Sequence, residues 1–147
     1  MSILDIFRRK KWEGLGVSVP SKILYDELWP RQPTGIYLRD REYRAIPFKD
    51  FMKLVDAWRL SDPKYATQIF DCDDYVCTFE ADLRRAWASV SNGFEALAFG
   101  GVNGLNSEGT GHAWIWHRDE AGVYRWIEAQ QNRLMIGTPR NFSMFWG

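Results

Sequence analysis

Cys72, His112 and Glu128 are the residues of this 147-residue chain whose types and spacing suit covalent chemistry. Cys72 falls at the predicted start of a helix, where the dipole and unpaired backbone N–H groups favour a thiolate. A thiol activated in that way is a nucleophile, and an imidazole is its usual base. His112 follows 40 residues later on a predicted strand, and Glu128 follows 16 after that on the next one. If residues 118–122 form the turn between those strands, paired positions sum to 240. His112 then faces Glu128 directly, Trp114 faces Trp126 and Trp116 faces Tyr124, all on one face. A register shifted by two, with sum 242, sets Gln130 opposite His112 instead. Glu128 is the favoured orienter and Gln130 its rival.

A plainer account stands beside this one. A cysteine is often a small buried hydrophobe, a strand histidine is often structural, and Asp71, Asp73 and Asp74 are ordinary helix-start residues. Those acids also disfavour a thiolate at Cys72 unless a cation neutralises them. Oxygen ligands grouped this way suit calcium, although no twelve-residue loop with a terminal Glu accompanies them.

The elements that must position these residues follow from periodicity and punctuation. Residues 1–12 suggest a short amphipathic helix with a basic end. Residues 13–34, rich in Gly and Pro, should be mostly irregular with at most one short helical turn. Residues 36–38 and 43–46 suggest short strands around the polar turn 39–42. Phe48, Phe51, Met52, Leu54, Val55 and Trp58 recur at helical spacing after Pro47, predicting a helix to about Leu60. A second helix is predicted from about Asp71 to Val90, with Val76, Phe79, Leu83, Trp87 and Val90 along one stripe. Residues 94–99 suggest a strand, and 100–111 a glycine-rich loop that could cover a cleft as a lid. Residues 111–117 and 123–130 suggest two more strands, and 131–147 carry little signal. Helices followed by an antiparallel meander make an α+β domain, taken as one unit over 1–147, with an arm at 1–34 and the core at 35–147.

Composition narrows the function. Nineteen basic and nineteen acidic residues cancel, whereas a general nucleic-acid binder needs a basic surplus. No apolar run approaches the roughly 20 residues that cross a bilayer. The first residues run apolar before basic, the reverse of a secretory signal, so a cytoplasmic location is expected. Cys72 and Cys77, five apart on one helix, should stay as two thiols. Cys72 is the expected reactive one and Cys77 a packed or inert one.

Phe70-Asp71-Cys72-Asp73-Asp74-Tyr75, Gly111-His112-Ala113-Trp114 and Trp126-Ile127-Glu128-Ala129-Gln130, in that order, resemble the papain-like and transglutaminase-like cysteine peptidase superfamily. Within it the likeness is closest to the C-terminal protease domain of the fairy-ring mushroom agglutinin and its phage and bacterial relatives. The resemblance covers about 43–130. It implies a papain-like fold, with the long helix carrying Cys72 packed on the sheet that carries His112 and Glu128. It implies Cys72 as nucleophile, His112 as base, Glu128 as orienter and a peptide or protein substrate. It also implies calcium dependence, with Asp73 and Asp74 as ligands. The relatives often have Pro where this chain has Ala129. The oxyanion glutamine of papain has only Gln68 as a counterpart, at a different spacing, so the backbone N–H of Cys72 is the safer donor. A cell-wall peptidase with an Asp-Cys-Ser-Gly motif fits less well, because Asp73 and Asp74 replace its Ser-Gly.

The leading expectation is therefore a cysteine hydrolase acting on an amide bond. The alternative is a non-catalytic binding or assembly protein of the same fold, such as a small phage protein acting on a host factor. The wealth of Trp and the acidic setting of Cys72 favour that alternative.

Overall fold

A computed structural model describes residues 14–60, 72–88, 95–128 and 140–147. Chain order is β1 (Val17–Pro20), α1 (Ser21–Leu28), a 3-10 turn (Trp29–Arg31), β2 (Gly35–Tyr37), β3 (Glu42–Ala45), α2 (Phe48–Leu60) and α3 (Cys72–Ala88), then β4 (Ala96–Leu97), β5 (Phe99–Leu105), β6 (Gly111–Arg118), β7 (Tyr124–Ile127) and β8 (Arg140–Trp146). The strands form a three-stranded sheet, β1-β3-β4, and a five-stranded sheet, β2-β8-β5-β6-β7. The α+β expectation holds in this form.

The large sheet buries both faces, which its alternation explains. Ala113 and Ile115 of β6 join Phe99 and Ile127 against Phe51, Leu54 and Val55 of α2 and Tyr75, Val76, Phe79 and Leu83 of α3. Trp114 and Trp116 point the other way. There they meet Trp126, Phe145 and Val102, together with Leu24 and Leu28 of α1. The two predicted helices appear with nearly the predicted ends. The Pro47 carbonyl accepts from the Asp50 and Phe51 N–H groups at 3.0 and 3.1 Å, so Pro47 opens α2.

Four sequence expectations are corrected. Residues 17–31, expected to be mostly irregular, form β1, α1 and a 3-10 turn, and Leu24 and Leu28 of α1 are fully buried. β2 and β3 do not pair with each other: β2 runs parallel to β8, while β3 pairs antiparallel with β1. Most of the presumed glycine-rich loop is strand β5, and only 106–110 turn. Its glycines serve packing rather than flexibility. A Cβ on Gly100 would meet the Trp146 carbonyl oxygen at 1.9 Å, and one on Gly101 would meet the Trp146 ring at 2.0 Å. The lid expectation has no basis in such a strand. Finally, the low-signal tail supplies β8, which lies between β2 and β5 near the middle of the sheet.

The β6–β7 register is also two residues from the favoured one. Trp116 pairs with Trp126 and His117 with Arg125, a sum of 242. Asp119 is the cause. Its Oδ1 accepts from the N–H groups of Ala121 and Val123 at 3.0 and 2.9 Å. This side-chain turn makes Asp119 the first loop residue. Arg118 consequently stays in β6, where its guanidinium grips both Glu27 oxygens at 2.7 and 2.8 Å. Burial acts against the Glu27 charge, but the hydrogen bonds from Arg118 and Tyr124 outweigh it and hold the carboxyl below its ordinary range.

Candidate functional site

A cleft of about 490 Å³ opens at the rim of the large sheet. Asn103, Gly104 and Leu105 of β5, Gly111 and His112 of β6, Asn141 and Ser143 of β8, and Cys72 of α3 line it. The sheet and the helix start therefore bring Cys72 and His112 to one cavity. Cys72 is the first residue of α3 and half-buried against the core. His112 begins the inward run of β6, edge-on to Trp114 with ring centroids 4.7 Å apart.

His112 Nε2 contacts Glu128 Oε2, and Glu128 is buried. Continued along the strands, the observed register sets Glu128 beside Trp114, so the carboxylate reaches His112 on the diagonal. Diagonal neighbours on one sheet face lie within reach of long side chains. The parity inferred from sequence is thus correct although the register is not: a shift of two keeps both residues on one face. In the neutral imidazole, an Nε2–H donated to Glu128 leaves Nδ1 as the basic nitrogen.

The remaining expected residues are placed as follows. Gln68 and Gln130 lie outside the described residues, as do residues 1–13 with the presumed amphipathic helix. Asp73 is on α3 with its side chain outside the description, and Asp74 is exposed. Among the described residues no three acidic, His or Cys side chains group to hold a metal. Neither cysteine is in a disulfide, and Cys77 is exposed rather than packed. Among the described residues no helix is long and apolar enough to cross a membrane.

Three polar lining residues escaped the sequence reading: Asn103, Asn141 and Ser143. Asn141 had a signal of its own. It sits at a φ of 49°, in the left-handed region that Asn tolerates better than most residues. There the β5–β8 pairing slips between Leu105↔Arg140 and Asn103↔Met144. Such a bulge bends a strand and re-aims side chains, and here it stands at the cleft.

His117, the other histidine, belongs to the core. Its ring stacks on Phe51 with centroids 4.1 Å apart and planes 12° from parallel, and neither ring nitrogen makes a well-formed hydrogen bond. Burial drives its pKa down to about 3, with Asp119 opposing that shift and Arg125 adding to it.

No protein-family model matches the chain, and no curated protein matches it. Among solved structures, the fold is similar to that of PSL1a in a complex with E64. The TM-score is 0.67 at 24% identity, over 87% of this chain and 51% of that one. It is also similar to Polyporus squamosus lectin bound to the human-type influenza-binding epitope Neu5Acα2-6Galβ1-4GlcNAc. There the TM-score is 0.65 at 23% identity, over 87% of this chain and 49% of that one. The chain spans about half the length of these neighbours, and at such identities the likeness establishes the fold alone. It overturns the expected peptidase superfamily, since the neighbouring chains are those of a lectin. The hydrolase and cysteine-protease descriptions drawn from the resemblance fall with it. The expected peptide substrate has no counterpart either, the second neighbour being a complex with a glycan.

Proposed function

We propose that this chain is a non-catalytic binding module, and that its ligand site is the cleft bounded by Cys72, Asn103, His112, Asn141 and Ser143. The cleft itself carries this reading. Among the described residues its lining holds two amides, a hydroxyl, an imidazole and a thiol, and no Asp, Glu, Lys or Arg side chain. Directed neutral donors and acceptors in a concave site select a ligand dense in hydrogen-bonding groups. A glycan has that character, and the lectin neighbours support the choice. Glu128 then serves as a brace, fixing the tautomer and tilt of His112 from behind. Titration calorimetry tests the reading with a glycan panel that includes Galβ1-4GlcNAc and Neu5Acα2-6Galβ1-4GlcNAc. Binding by the parent chain that weakens about tenfold in Asn103→Ala supports it, a loss of the size expected for one or two hydrogen bonds. Binding unaffected by any change in the cleft removes it.

A second reading rests on the His112–Glu128 contact in a cleft that also holds a thiol. It makes Cys72 a reactive nucleophile toward a bound ligand, with His112 as its base and Glu128 as the orienter. An E64 adduct at Cys72, lost in Cys72→Ser and slowed in His112→Ala, supports it. Absence of any adduct leaves the binding module alone.

A further inference from the structure

Glycine weakens a strand, because it brings backbone entropy and no packing, so a strand glycine needs a reason. Gly100 and Gly101 have one in the closeness of Trp146. Gly16 and Gly122 have another in left-handed φ values of 76° and 83°. Gly111, the first residue of β6, has neither. Its φ is outside the left-handed region, and a Cβ built on it meets no atom of the described residues within 4 Å. The fold would accept a side chain there, and the space left empty is the cleft that Gly111 lines with Cys72 and His112.

The direction of that space is fixed by alternation. Gly111 pairs with Leu105 and shares the face of Ala113 and Ile115. That is the face on which α3 packs and from which Cys72 reaches the cleft. A side chain at 111 would thus rise toward the first turn of α3. We propose that Gly111 is a specificity-determining position, whose missing side chain keeps the cleft open between β6 and Cys72 for a ligand that crosses the start of β6. This rests on the cleft being the ligand site. The ligand it implies is a chain-like one, laid across the strand ends, with its polar groups turned to Asn103, Asn141 and Ser143.

The two cysteines supply the test, because Cys72 lines the cleft while Cys77 is exposed elsewhere on the same helix. The parent chain, Gly111→Ala and Gly111→Leu are each treated with iodoacetamide and with the bulkier fluorescein-5-maleimide. Modification of each cysteine is timed by mass spectrometry, and a melting curve checks each fold. The expected result is parent-like melting and unchanged Cys77 rates in both variants, with maleimide modification of Cys72 slowed about tenfold in Gly111→Leu and less in Gly111→Ala. Equal Cys72 rates in all three proteins overturn the role of Gly111, as does a large loss of melting temperature in Gly111→Ala, which would mean that the space is not open. A parent Cys72 closed to both reagents overturns the cleft reading beneath it.

Discussion

Glu128 meets His112 from the diagonal position across the β6–β7 hairpin, not from the position directly opposite. The contact therefore depends on side-chain length as well as on register. Glu128→Gln keeps an oxygen at that reach, whereas Glu128→Ala leaves the half-buried imidazole without it. Glu128→Ala should cost about 1–3 kcal/mol of stability, the penalty of an orphaned buried polar group, and Glu128→Gln distinctly less. Urea unfolding monitored by Trp fluorescence measures both, and equal losses in the two variants would mean that the contact does not hold the ring.

That hairpin shows what the sequence conceals. Strand alternation alone fixed the shared face of His112 and Glu128, and helical periodicity fixed α2 and α3. The register was set by the Asp119 side chain, which captures two loop N–H groups, and no periodicity reveals such a turn. β5 was hidden because glycines normally mark turns, whereas Gly100 and Gly101 exist to admit Trp146, a residue 45 positions away from Gly101. β8 was hidden because its pairing with β5 is interrupted beside Asn141. As for the cleft, two of its residues were legible as chemistry-bearing types, while Asn103, Asn141 and Ser143 come together only through the strand order.

Two strand glycines should respond oppositely to the same substitution. Gly101→Ala drives a Cβ into the Trp146 ring and should destabilise by about 1–3 kcal/mol, the usual cost of overpacking. Gly111→Ala should leave stability unchanged or raise it by a few tenths to about 1 kcal/mol through the unfolded state. Thermal melts of the two variants side by side decide it, and a comparable loss in both would contradict the packing account.

Arg118 and Glu27 tie β6 to α1 by two hydrogen bonds, with Tyr124 adding a third to the same carboxylate at 2.9 Å. The Glu27 side chain is 30% exposed and that of Arg118 10%, so water offsets part of the pair. Arg118→Met should cost about 2 kcal/mol, below the 3–5 kcal/mol typical of a fully buried pair broken on one side. Denaturant midpoints test this, and a loss under 0.5 kcal/mol, the scale of an exposed pair, would place the tie in the solvent-screened class.

His117 should make the protein acid-sensitive. Its folded pKa of about 3 lies below the ordinary 6.5 because the ring is buried. A depressed folded value means that the unfolded chain binds the proton more readily, so this contribution is whole above about pH 6.5 and is lost as pH falls toward 3. Melting temperature should drop across that window, and His117→Phe should fall less steeply than the parent. Parallel pH profiles for the two proteins would show that His117 is not the acid-sensitive group.

Binding in the cleft is tested most directly by ¹H–¹⁵N NMR titration of the chain with the panel glycan that calorimetry finds tightest. The account predicts that shift changes concentrate at Asn103, Gly111, His112, Asn141 and Ser143, saturate with a single affinity, and need about tenfold more glycan to saturate in Asn103→Ala. Changes centred instead on the exposed Trp29 and Tyr37, or none with any glycan of the panel, would contradict it.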